Sequence, residues 1–489
     1  MNTDIRQSEA IRTRQIRRQT ILGWAGVAVL LIYLYSNAPQ EVLLVNKLLG
    51  VGILVTGLIP LLIYTRQLRI SEGRELEPLP LIPVLGLLYG LYLGLPALIE
   101  EDPQASLLLP ITHGQLTKPL ELTLLGVGSF LVSFYLFSHF FTRRMKPLQL
   151  RWDVDVAKRL AIILLVSGFF IDSLKIADFF PQAFRSVFGL LSSFYDLGMG
   201  IFVLLAARNK LTSAQRKILW FGIVPYFFLI QVSTGLVSNL VYGFVFIFLL
   251  FTAAGYTIRW RWIVPGLLLT ILLHSNVLEF RSLTWYGEHR GASRIERAQL
   301  FFRLTWESLE SGGVKAVGEG ADNMIKRIGQ LSLFAYVMEL TPSVIPYWDG
   351  GSYYALPTTW IPRALWPDKP EKRLGQEFGH IYGILDQEDR ITSVNFPQII
   401  EMYANFGTAG VLVGMAILGV MLRFLYAKLN QPGVSDPVLL LGAFIFKDLT
   451  NIESDFTLVF GAILQTVVVL YIVLRLAIPS KSALLSRNV

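Results

Sequence analysis

The residues best suited to chemistry in this chain lie in "WIPRALWPDKPEKR", residues 360–373, where Arg363, Lys369, Lys372 and Arg373 alternate with three prolines, Trp360 and Trp366. A guanidinium presents a planar fork that holds phosphate oxygens in pairs and never loses its charge; an ammonium adds a compact point charge. Each proline fixes its own φ and restricts the residue before it, so these cations sit on a stiff segment. Such a set suits a diphosphate lipid headgroup. Arg281 in "LEFRSLTWYG" and Arg327 in "ADNMIKRIGQ" are further cations of the same region. Shortly after it, "IIEMYANFGTAG" at 399–410 carries Glu401, Tyr403 and Asn405 into an apolar run. Glu401 is a candidate general base where the chain re-enters a membrane. Each of these residues also has a plainer use: an arginine can pair with a carboxylate or a lipid phosphate. Likewise Trp360 and Trp366 can anchor in the membrane interface, and Glu401 can accept amides at a helix start.

A second set consists of ionisable groups inside apolar runs: Lys47, Asp172, Lys175, Asp178, Asp196, His274, Glu279, Lys447 and Asp448. Charge in hydrocarbon is costly, so each is a functional candidate. Lys175 lies three residues from both Asp172 and Asp178, so pairing within one helix accounts for that trio as well as a polar cavity does.

Other chemistries are excluded. Cysteine is absent, which removes disulfides, thiolate metal sites and thiol nucleophiles. The chain has no Walker loop, dinucleotide fingerprint, GxSxG or HExxH, and its five histidines are scattered. No metal or cofactor is expected.

What must position these groups is a membrane bundle. The chain has 489 residues, 53% of them hydrophobic and only 16% charged. Hydrocarbon about 30 Å thick needs roughly 20 apolar residues per helix, and about twelve runs qualify: 20–36, 42–64, 79–99, 119–141, 160–180, 187–207, 218–236, 237–255, 262–278, 400–427, 437–452 and 456–478. The expected fold is an all-α polytopic membrane protein. The formal net charge of +8 falls in short clusters beside these runs, which reads as topology and not as nucleic-acid binding. Cationic connections around 66–74, 143–151, 208–217 and 259–261 alternate with cation-poor ones, so both termini are expected in the cytoplasm. The chain then divides into an N-terminal bundle at 1–278, one large extracytoplasmic loop at 279–398, and C-terminal helices at 399–489. Within the loop, "SRIERAQLFFRLTWESLE" begins with a capping box of Ser293 and Glu296 and puts Ile295, Phe302 and Leu309 on one face of an amphipathic helix.

With these motifs in hand, "LPTTWIPRALWPDKPEKRLGQEFGHIYG" followed by "IIEMYANFGTAG" resembles the core of Wzy-type oligosaccharide repeat-unit polymerases, within the O-antigen polymerase and ligase group; "EFRSLTW" at 279–285 resembles it more weakly. The resemblance implies a GT-C-like helical fold in the cytoplasmic (inner) membrane of a bacterium. It implies a metal-independent glycosyltransferase that moves a growing glycan from undecaprenyl pyrophosphate onto the next lipid-linked repeat unit in O-antigen or exopolysaccharide synthesis. By the same resemblance Arg363 and Lys369 belong to the signature and Arg281 matches an outer basic position. Lipid-linked oligosaccharides, membrane lipids, a chain-length regulator and a flippase are the implied partners. Similar ligases carry a loop histidine that His380 does not match. The other readings are a ligase-like transferase to another acceptor and a non-enzymatic polysaccharide transporter or flippase. A transporter would more naturally show paired repeats and broken helices in matching halves, neither of which is visible in the sequence.

Overall fold

Apolar runs punctuated by Pro, Gly and charge form helices, and every regular element among the described residues is helical. The computed structural model describes residues 42–70, 77–99, 109–173, 193–235, 237–256, 276–313, 329–359, 373–390 and 392–477, with a few single positions between them that include Ile361 and Trp366. The first helices are α1 (Val42–Ile70), α2 (Leu81–Ile99), α3 (His113–Arg144), α4 (Val154–Ser173), α5 (Phe194–Ala207), α6 (213–233) and α7 (Val237–Ala253). The loop region holds α8 (Val277–Arg281), α9 (Arg294–Gly312), α10 (Leu331–Leu340), a 3-10 turn at Gly351–Thr358 and α11 (Leu374–Ile381). The chain ends in α12 (Gln398–Leu429), α13 (Asp436–Leu449) and α14 (Phe456–Ala477). Among the described residues, five helices are long and apolar enough to cross a membrane: Val42–Gln67, Leu81–Ile99, His113–Arg144, Gln398–Leu429 and Phe456–Arg475. The protein is an all-α protein with membrane-spanning character.

Two helices are locally unwound for a visible reason. In α2 a π-turn at Gly90–Gly94 immediately precedes Pro96, and in α6 one at Leu219–Ile223 precedes Pro225. A proline has no N–H and its ring crowds the carbonyl four residues back, so the wider turn relieves both defects.

α3 lies between α1 and α12 and forms the centre of the bundle. Small residues bring these helices together. A Cβ on Gly57 would overlap the Gly86 carbonyl, one on Gly86 would overlap that of Gly57, and one on Gly50 would lie 2.7 Å from the Gly94 oxygen. The same device brings Gly419 of α12 against the Phe130 carbonyl and Ser133 of α3. At the far end of α12, Asn430 exchanges hydrogen bonds with Leu79 (2.8 and 2.7 Å), and the Tyr426 hydroxyl links the Leu79 carbonyl to the Ile82 amide.

The expected amphipathic helix is present as α9, with Ser293 and Glu296 forming its capping box. The face packed against the protein is a different one from the Ile295–Phe302–Leu309 face, which stays outward, as a face lying on a membrane would. Ala298, Phe301, Leu304 and Thr305 are buried, on the side where α9 meets α6 and α8 and where Phe301 makes an edge contact with Phe280. Ile295 and Phe302 are exposed and Leu309 is half-buried. The helix carries two apolar stripes, and the position of α6 decides which one packs.

Candidate functional site

α12 is broken. Phe406 (φ −140°) and Gly407 (φ +63°) leave the helical region, and a Cβ at Gly407 would lie 2.7 Å from the Tyr347 hydroxyl oxygen. Both the left-handed φ and the crowding require glycine at that position. A break frees backbone carbonyls, and in a membrane they must find donors. The loop supplies them: the amides of Trp348 and Asp349 donate to the carbonyls of Ala404 and Asn405 at 3.0 and 3.3 Å. The loop is thus docked on the broken helix.

Glu401 is the hub of this junction. It is fully buried; one carboxylate oxygen accepts from the Ser352 hydroxyl at 2.5 Å and the other from the Phe456 amide, the first of α14, at 2.7 Å. Asn405 donates to Ser352 Oγ and to the Glu401 carbonyl, both at 2.8 Å, and its own Oδ1 is buried without a partner. Thr457 donates to the Ser352 carbonyl at 3.1 Å. Asp455 accepts from the Leu458 amide at 2.8 Å, as an N-cap of α14 should; burial pushes its carboxyl above the ordinary range, against the pull of the amides it accepts. Two carboxylates therefore meet the positive end of one helix.

Of the two uses read for Glu401, this geometry shows the plainer one, acceptance of an amide at a helix start, here that of α14. Both of its oxygens are committed to fixed donors, so it reads as a positioning residue that ties the loop to α14. Glu401→Gln keeps an acceptor for the Phe456 amide and will fold. Glu401→Leu strands that amide and the Ser352 hydroxyl, and will lose on the order of 2 to 4 kcal/mol of stability. Thermal unfolding of both variants in detergent checks this. Equal Tm values for Leu, Gln and wild type would remove Glu401 from the role.

The loop continues from the junction along α14. Thr359 packs on Gly461, where an added Cβ would lie 3.0 Å from the threonine Cβ, and its carbonyl accepts from Gln465 at 3.4 Å. At 1.5 Å per residue these contacts lie roughly 8 to 14 Å along α14 from Phe456. Beyond residue 373 the chain is again fixed. Gly375 fits closely against Ser393 and the Val394 carbonyl, Phe378 stacks on Phe396 at 4.2 Å, and Tyr382 bonds Thr341 at 2.7 Å. Both ends of the basic stretch are held.

Beside the junction lies a cavity of about 250 Å³, bounded by α5, α6, α7, α13, α14 and the α13–α14 turn. Asp196, Gln231, Asn239, Tyr242, Lys447, Asp448 and Asn451 line it, with Phe227, Leu458 and Val459 as apolar walls. Lys447 Nζ is 3.6 Å from Asp448 and lies 5.6 and 5.7 Å from the ring centroids of Phe444 and Phe246. Thr466 donates to Asp448 at 3.2 Å. Tyr242 donates to Asn451 at 2.7 Å, and Asn395 holds the neighbouring Glu453 at 2.8 Å. Three of the membrane ionisable groups singled out by sequence thus converge on one space.

The other expected site residues separate. Tyr403 donates to the Thr341 carbonyl at 3.2 Å and packs edge-on against Phe334 and Tyr347. Arg281 donates to the Gly235 carbonyl at 2.9 Å and lies over the Trp285 ring. Trp366 is 37% exposed, and His380 bonds the Asp389 carbonyl at 2.9 Å. Arg363, Lys369 and Arg327 lie outside the described residues, as do Lys175, Asp178 and His274. Ser352, Asp455, Tyr242 and Asn451 escaped the sequence reading. Asp455, just before an apolar run, carried an N-cap signal, whereas the side-chain partners of Ser352, Glu401 and Asn405, lie 49 and 53 residues away. Among the described residues no group of three or more His, Cys, Asp or Glu is arranged to hold a metal ion.

No curated protein and no solved structure matches the chain. Residues 129–480, from the middle of α3 to just past α14 and including both the Glu401 junction and the polar cavity, match one family over most of the chain, so this protein belongs to the family described as Domain of unknown function (DUF8712).

Proposed function

We propose that the protein polymerises lipid-linked oligosaccharide repeat units at the outer face of a bacterial cytoplasmic membrane. In this reading it has about twelve spans in a GT-C-like bundle and both termini in the cytoplasm. The hydroxyl at the non-reducing end of a lipid-linked repeat unit attacks the anomeric carbon of a glycan on undecaprenyl pyrophosphate. The new C–O bond forms as the anomeric carbon–oxygen bond to phosphate breaks, the electron pair leaves with the pyrophosphate, and the hydroxyl proton passes to a base or to water. Diphosphate is already a good leaving group. The protein has chiefly to neutralise the charge that develops on it and to hold the acceptor. Arg363 and Lys369 do the first, assisted by Arg281 and Arg327, with Trp366 at the interface. Tyr403, Asn405 and Glu401 act by fixing the loop.

The observation that supports this reading is that the residues flanking 360–373 are held, Thr359 on α14 and Gly375 and Phe378 against 393–396. A transferase without a metal needs its cations pre-organised, and held flanks with three prolines in the sequence between them favour that. The break in α12 and the charged cavity favour a second reading, transport of the same lipid-linked glycans, because discontinuous helices around a polar site also build transporters.

Removing the protein from cells separates the two. The polymerase reading expects single lipid-linked repeats to accumulate on the outer side, with long glycan missing. Accumulation on the cytoplasmic side would favour transport and overturn polymerisation.

A further inference from the structure

We propose that the cavity lined by Asp196, Gln231, Asn239, Tyr242 and the Lys447–Asp448 pair is a subsite for one uncharged sugar unit. The identity of the sugar's carrier rests on the polymerase reading; the binding chemistry does not.

The lining decides among ligand classes. Asp196 and Asp448 against one lysine give a net charge of −1 when all three are ionised, which repels a diphosphate. A bound cation is disfavoured because the Lys447 ammonium, 3.6 Å from Asp448, already occupies the side of that carboxylate facing it. An apolar chain would strip water from half-buried carboxylates and amides and give nothing back to their remaining hydrogen-bonding capacity. A sugar hydroxyl both donates and accepts. Carboxylates and amide carbonyls accept from it, while amide NH2 groups and the lysine donate to it. The sugar's C–H face can lie on Phe227 and Leu458. At about 250 Å³ the space falls just below the roughly 300–1,000 Å³ range of drug-sized ligand pockets, which fits one sugar unit and not an oligosaccharide. Because five helices contribute to the lining, the site is formed before the ligand arrives.

The test uses the full chain in detergent and measures Tm against two probe sets: neutral monosaccharides (glucose, galactose, N-acetylglucosamine, rhamnose) and inorganic pyrophosphate. A ligand that binds only the folded protein raises Tm. At least one sugar is expected to do so. Asp448→Asn and Gln231→Leu, on different helices, should each weaken that sugar at least tenfold and leave the response to pyrophosphate unchanged; Asp196→Asn replaces either variant that fails to fold. Sugar protection that these variants weaken supports the cavity even if pyrophosphate gives no shift, a result that would count against the polymerase reading alone. No protection by any sugar, protection unaltered by the variants, or a shift produced instead by sodium or potassium overturns the sugar subsite and leaves the polymerase reading standing.

Discussion

Arg363→Ala will leave single lipid-linked repeat units unextended, with polymerisation about 10²- to 10³-fold slower and the protein present at its normal level. The size follows from the chemistry: removing one pre-organised donor from a developing oxyanion costs about 3 to 4 kcal/mol in enzymes that rely on such donors. In sequence Arg363 stands between Pro362 and the Trp366–Pro367 pair, and the flanking Thr359 and Gly375 are held. A lysine restores the charge without the bidentate fork, so Arg363→Lys should recover only part of the rate. The readout is the length distribution of glycan made by membranes carrying each variant. A wild-type ladder from Arg363→Ala would remove this residue from the reaction.

Gly86→Val will break the pairing of α1 with α2. A Cβ at position 86 meets the backbone of Gly57, and backbone cannot turn aside as a side chain can. Over-packing ordinarily costs about 1 to 3 kcal/mol, and this contact belongs at or above the top of that range. Gly86 and Gly90 lie four residues apart on α2, as do Gly90 and Gly94, opposite Gly50, Leu54 and Gly57 of α1, so the helices must separate along several turns. Gly222→Ala is the control, because a Cβ there meets nothing within 4 Å. Tm in detergent should fall clearly for Gly86→Val, fall less for Gly86→Ala, and hold for Gly222→Ala. Equal values for all three would mean that the two helices do not pack through these glycines.

Much of the helical layout was legible because hydropathy is a local property. The expected runs 42–64 and 437–452 correspond to α1 at Val42–Ile70 and α13 at Asp436–Leu449. The capping box of Ser293 and Glu296 was equally local. The buried face of α9 was not, since Ile295–Phe302–Leu309 and Ala298–Phe301–Leu304 are both plausible stripes until α6 chooses between them. The break in α12 had one sign, Gly407, but glycine inside an apolar helix is commonplace; only the Tyr347 hydroxyl and the waiting amides of Trp348 and Asp349 make it a docking point. The site behaved in the same way. Asp196, Lys447 and Asp448 each stood out as costly charges, yet their meeting in one cavity depends on contacts across some 250 residues of chain. Glu401 was singled out as a base, and its engagement with Ser352 and Phe456 is a tertiary fact that no spacing reveals.

The proposed polymerase joins lipid-linked repeat units by itself and without a metal. Purified protein mixed with lipid-linked repeat units, with and without a chelator, and resolved on a gel tests it most directly. A ladder of glycans at repeat-unit spacing, unchanged by the chelator, is the expected result. Repeat units that stay single while moving between the faces of a vesicle would contradict it.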